Sequence, residues 1–194
     1  MSGLTYEHLR KVQAQLGHAF FDNGDFNLNI IGVRTDDNRS NLFNDWIVLA
    51  FRQFDHPQLM VFAATTDPGT YWRQNPMNVK GTAIVVPGQY RSVWSIGKHR
   101  GKYEALVQRG PIKVYRDNNK DEVLDFTQEE TGYFGINLHE ASAESNEIGK
   151  WSAGCQVISR RADYSLLMAI VNRAAKEHGP KFSYTLLTER HLWG

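Results

Sequence analysis

The spacing of apolar positions changes character along the chain. Leu4, Leu9, Val12 and Leu16 recur at roughly helical intervals, with Ser2 or Thr5 placed to cap the start. They predict a short amphipathic helix over residues 5–16, ended near Gly17. Beyond it the pattern becomes that of strands. Residues 29–34, 46–54 and 58–65 are rich in Ile, Val, Phe and Trp and are separated by Asp/Asn/Ser or His-Pro punctuation, and residues 81–87 form another β-branched run. Residues 105–107, 112–116 and 123–126 predict a meander, with Asp117-Asn118-Asn119-Lys120 as the turn between the last two. Residues 133–139 predict a further strand.

The helical period returns over residues 162–178, where Leu166, Leu167, Ile170, Val171 and Ala174 share a face and Gly179-Pro180 stops the helix. Residues 182–188 read as a last strand. With no repeat, low-complexity segment or linker, the expectation is one mainly-β domain over residues 1–194, a β-sandwich or curled mixed sheet. Residues 1–25 form its helical N-terminal extension, and one long helix follows residue 155.

Composition narrows the functional classes. A 41% hydrophobic, 22% charged chain is globular in balance. A net charge of +1 and the lack of a basic block argue against a nucleic-acid partner. No apolar run approaches the roughly 20 residues that span a bilayer, so no membrane insertion is expected. Residues 1–16 carry Glu7, Arg10 and Lys11 and lack the uninterrupted apolar stretch of a secretory signal.

The chemistry concentrates in Phe134-Gly-Ile-Asn-Leu-His139 and in Ser152-Ala-Gly-Cys155, which begins thirteen residues after the histidine. Cys155 is the only cysteine in 194 residues, so it forms no internal disulfide and no thiolate cluster. A thiol nucleophile needs a base, oxyanion donors and access. His139 is the candidate base. Gly154 allows a sharp turn that would aim the amides of residues 154 and 155 at an oxyanion. Ser152 is placed to orient the imidazole through its hydroxyl or carbonyl, and the N-terminus of the following helix would lower the thiol pKa. The competing expectation is a small buried core residue.

The order of histidine at a strand end, polar loop, then Ser152-x-Gly154-Cys155 resembles the catalytic motif of the L,D-transpeptidase (YkuD-like) family. Residues 63–71, Ala-Ala-Thr-Thr-Asp-Pro-Gly-Thr-Tyr, look like a degenerate form of that family's Thr-Pro-Gly segment. The resemblance implies that Cys155 attacks a peptidoglycan stem-peptide carbonyl to form an acyl-enzyme, with His139 as base and then acid and with no cofactor. The chain departs from the family pattern at Ala153, where most members have histidine, and at Gln156 and Val157, where an aliphatic residue and then Arg or Asn are usual. Those changes tilt the expectation from cross-linking towards cleavage, as an endopeptidase or carboxypeptidase. A wall enzyme without a visible export signal points to a phage lysin or a delivered effector.

Trp151 and Tyr133 are candidate groove residues, and the basic, glycine-flanked segment Ile96-Gly-Lys-His-Arg-Gly101 reads as a loop that offers Arg100 or Lys98 as a carboxylate ligand. His139-Glu140 has no second histidine at helical spacing, and Asp36-Asp37-Asn38 lacks the rest of a calcium loop, so no metal is assigned. Two other readings stand beside the enzyme: a non-catalytic virion or wall-binding module that retains the fold, and a cysteine amidase or peptidase acting on non-wall substrates.

Overall fold

The structure, a computed structural model, describes residues 3–38, 41–141 and 145–194. Its elements run α1 (Tyr6–Gln15), β1 (Asn29–Arg34), β2 (Asp45–Gln53), β3 (His56–Thr65), α2 (Thr70–Gln74), β4 (Thr82–Val85), β5 (Gly88–His99) and β6 (Tyr103–Gln108). They continue with β7 (Ile112–Asp117), β8 (Gln128–Gly132), β9 (Leu138–Glu140), β10 (Gln156–Ile158), α3 (Arg161–His178), β11 (Lys181–Thr188) and α4 (Glu189–Trp193).

The protein is mainly β, as the strand-rich pattern implies. Eight strands close into a barrel in the order β1-β11-β5-β6-β9-β10-β3-β2, while β4, β7 and β8 make a separate three-stranded sheet. The main sheet therefore curls on itself rather than lying as one layer of a sandwich, and closure removes its free edges. Two parallel pairings, β1 with β11 and β9 with β10, interrupt the otherwise antiparallel order.

The near-continuous apolar runs of β1 and β2 follow from burial on both faces. Ile30, Ile47, Leu49 and Phe51 join one core cluster, and the alternate residues Ile31, Val48 and Ala50 join another. The first cluster also holds the inner face of α3 (Tyr164, Leu167, Met168, Val171, Ala174) and residues of β4 and β7. The second is covered by Tyr6, Leu9 and Val12 of α1 and Leu192 of α4. The predicted N-terminal extension is thus part of the packed structure, and Thr5 caps its helix by accepting from His8 N–H at 3.1 Å.

Three expectations are corrected. Residues 123–126 are not a strand; the partner of β7 is β8. The Val123 carbonyl instead accepts from the buried Arg73, and Leu124 N–H donates to Asn38. Residues 133–137 are not extended, because Gly135 turns at φ 72° and the amides of Phe134 and Ile136 both donate to Gln108 Oε1. Residues 96–99 are not loop but the end of β5; the hairpin turn begins at Arg100 (φ 49°) and Gly101 (φ 72°). No helix among the described residues is long and apolar enough to cross a membrane.

Candidate active site

Parallel pairing of β9 with β10 brings the two halves of the motif together. Val157 stands opposite His139 and Gln156 opposite Leu138, and Gln156 N–H donates to the Asn137 carbonyl at 2.9 Å. That places Cys155 beside Asn137, at the start of the strand that pairs with the one carrying His139. The half-buried Cys155 Sγ accepts from Asn137 N–H at 3.5 Å and its S–H faces the Gly135 carbonyl at 3.4 Å. No hydrogen bond joins the sulfur to His139 among the described residues. Burial pushes the thiol up from its ordinary value, against the opposing pull of Asn137 N–H and the Arg100 charge.

The sequence-based expectation of a thiol acidified by a helix N-terminus is therefore overturned. Cys155 precedes β10 and α3 follows it, so the helix start lies at the opposite end of the strand, where its dipole no longer reaches.

His139 is almost completely buried, at 2% exposure. Its Nδ1 lies 2.9 Å from the Glu140 carbonyl and 3.2 Å from Tyr103 Oη. A carbonyl only accepts, so Nδ1 carries the proton and Nε2 keeps its lone pair. Nε2 is buried and has no hydrogen-bond partner among the described residues. Burial, reinforced by the neighbouring His99, pushes the His139 pKa down to about 3, with the Glu140 carbonyl opposing. The ring is a neutral base with a free acceptor.

Ser152 and Gly154 build the turn rather than touch the imidazole. Ser152 Oγ donates to the Cys155 carbonyl at 2.7 Å and accepts Gly154 N–H at 3.1 Å, and its own carbonyl accepts Gly69 N–H at 2.9 Å. Two expectations change with this: the Glu140 carbonyl, not Ser152, orients His139, and the Gly154 amide is already used. The Cys155 amide has no partner among the described residues and is the remaining candidate for an oxyanion donor. Glycine is required at 154, since φ is 117° and a Cβ would sit 2.4 Å from the Ala83 carbonyl oxygen. Gly69, in the Thr-Pro-Gly-like segment, abuts the same loop so closely that a Cβ there would lie 2.2 Å from the Gly149 oxygen.

Gln156, where the resembled motif has an aliphatic residue, is fully buried. Its Nε2 donates to the Gly154 carbonyl at 3.3 Å and its Oε1 accepts from Tyr184 Oη, tying the turn to the barrel. Val157 is likewise buried.

Two clefts flank Cys155 without being lined by it. One, of about 260 Å³, is bounded by His99, Arg100, Lys102, Tyr103, His139, Lys150 and Trp151. The other, of about 270 Å³, includes Ala83, Arg116, Tyr133, Phe134 and Ala153. The structure thus gathers Trp151 and Arg100 beside His139 and places the exposed Tyr133 on the other side. Arg100, Lys102 and Lys150 form no ion pair with an acid among the described residues, so the first cleft is cationic. No group of His, Cys, Asp or Glu among the described residues is arranged to hold a metal ion.

Sequence reasoning missed His99, Tyr103 and Asn137. Asn137 lies inside the quoted motif, but His99 and Tyr103, at the tip of the β5–β6 hairpin, reach the site because β6 pairs with β9, Leu106 opposite Leu138, a long-range relation that spacing does not carry. No family model matches the chain, no curated protein is similar to it, and no solved structure matches its fold.

Proposed function

We propose that the protein is a cysteine-dependent acyl-transfer enzyme of the L,D-transpeptidase type, acting on peptidoglycan stem peptides with hydrolysis as the outcome. The observation that carries this is the buried Nε2 of His139, unpartnered among the described residues, on the strand that pairs with the one following Cys155, in the order and loop spacing of that motif. A buried acceptor left unpaired is costly, and such costs concentrate where a proton must be received.

In this reading the thiol turns from the Gly135 carbonyl towards His139 as substrate enters. Nε2 takes the thiol proton while sulfur bonds to the peptide carbonyl carbon, and the oxyanion is held by the Cys155 amide. Collapse breaks the C–N bond, and the imidazolium returns its proton to the leaving amine. Water, deprotonated by Nε2, then splits the thioester and restores the thiol. The leaving amine lies on the His139 side, where Arg100, Lys102 and Lys150 favour a substrate with a free carboxylate.

One observation favours a second reading, a non-catalytic wall-binding module: at rest Cys155 and His139 are not hydrogen-bonded and burial opposes the thiolate. Digestion of purified sacculi, followed by mass spectrometry of the muropeptides, separates the two. Loss of stem-peptide bonds with wild type and not with Cys155→Ala supports the hydrolase; new cross-links contradict hydrolysis as the outcome; an unchanged profile contradicts the enzyme.

A further inference from the structure

His99 lies at the end of β5, 8% exposed, with its ring stacked on that of His139 at a centroid distance of 4.0 Å and an interplanar angle of 25°. Its Nδ1 is 3.1 Å from Asn137 Nδ2. The direction of that bond is fixed, because Asn137 Oδ1 accepts Gln108 N–H at 2.9 Å and leaves the amide NH2 facing His99. Nδ1 of His99 is therefore an acceptor, and the proton of its neutral ring sits on Nε2. Asn137 also donates its backbone N–H to Cys155 Sγ, so one residue touches the thiol and sets the second histidine.

We propose that His99 is a positioning residue for the acyl transfer put forward above: clamped by Asn137 and stacked on His139, it holds that ring neutral with Nε2 free, so that Cys155 and His139 rest as an uncharged thiol–imidazole pair. The proposal rests on that functional reading. Protonating His99 at Nδ1 would break the Asn137 bond, and protonating both stacked rings would set like charges face to face.

The other charged and titratable groups around the pair act in the same direction or are occupied. Arg100 follows His99 in the turn, and Lys102 and Lys150 line the same cleft, all disfavouring an imidazolium. Tyr103 Oη lies against His139 Nδ1, while the Glu140 carboxylate pairs with Arg161 at 3.3 Å. Deprotonation of Cys155 then waits for substrate, which protects the half-buried thiol from adventitious oxidation and alkylation.

Long-range proton–nitrogen NMR of histidine-labelled protein between pH 5 and pH 8 tests the lock directly, with His99→Phe and His139→Gln for assignment. The expected spectrum has His99 protonated at Nε2 and His139 protonated at Nδ1, with His139 neutral throughout. Asn137→Asp should raise the pH at which His99 titrates while His139 stays neutral. His139 found as the Nε2–H tautomer, or charged at pH 7, overturns the lock.

Catalytic relevance is read from His99→Phe, which keeps the stack and removes the Asn137 acceptor and the second ionisable ring. The acidic limb of its pH–rate profile should move up by about one pH unit. An unmoved profile with only a lower unfolding midpoint overturns the positioning role. Intact tautomers in a wild type inactive on sacculi would sink the acyl-transfer reading alone, and reversed tautomers in an active one would sink the lock alone.

Discussion

Ser152 Oγ closes on the carbonyl of Cys155, three residues ahead, at 2.7 Å, while accepting the Gly154 amide, and it does so fully buried. The hydroxyl is both donor and acceptor in one turn, and the turn sets where the sulfur projects. Ser152→Ala leaves a buried carbonyl and a buried amide without that partner and should cost about 2 kcal/mol. Urea unfolding reads the loss; a change within 0.5 kcal/mol, the ordinary range for surface substitutions, would mean that the turn does not depend on it.

Gly154→Ala should be worse. The added Cβ would stand 2.4 Å from the Ala83 oxygen at a φ of 117°, so backbone strain and a backbone clash combine. A cost of about 3 kcal/mol is expected from overpacking and the unfavourable φ together. Thermal unfolding of the variant measures it, and an unchanged midpoint would refute the turn geometry.

Stability should depend on pH through His139. Its folded pKa, about 3, lies below the ordinary 6.5, so the unfolded chain binds more protons between those values. This contribution is present above pH 6.5 and is lost as pH falls towards 3. Buried Asp45, Asp67 and Asp117 are raised and work in the opposite sense, so the test is a difference between proteins. Between pH 7 and pH 4.5, His139→Gln should lose less stability than wild type; parallel curves would contradict a neutral, buried imidazole.

Arg100 should discriminate substrates by charge. On synthetic stem peptides, Arg100→Gln should lower kcat/KM about tenfold for a free C-terminal carboxylate, in keeping with loss of one charge-assisted hydrogen bond, and leave the amidated peptide nearly unchanged. Equal losses on both peptides would remove the cationic cleft from substrate recognition.

Local signals carried much of this far. The helix over α1 was legible from Leu9 and Val12, α3 from its 162–178 periodicity, and most strands from β-branched runs. The failures have physical causes. Barrel closure rests on pairing β1 with β11, residues some 150 positions apart in sequence, which no local pattern encodes. Phe134 and Ile136 look like strand residues, yet their amides answer to the Gln108 side chain. At the site, β9–β10 pairing sets His139 and the Ser152–Cys155 turn on neighbouring segments, with no hydrogen bond between Cys155 and His139 among the described residues. The turn at Gly154 stands, but the Gly154 amide and the Ser152 hydroxyl bond to each other within that turn, and a short motif does not say which hydrogen bonds its members already make. His99 went unassigned because its importance lies in a stack, not in a spacing.

The central claim is that Cys155 forms a thioester with a stem-peptide carbonyl. The most direct measurement is intact-protein mass spectrometry after mixing with a synthetic stem peptide and quenching in acid, followed by peptide mapping. The account predicts an added acyl mass located on Cys155, absent from Cys155→Ala and strongly reduced in His139→Gln. An unmodified wild type under conditions where the peptide is consumed, or an adduct on another residue, would contradict it.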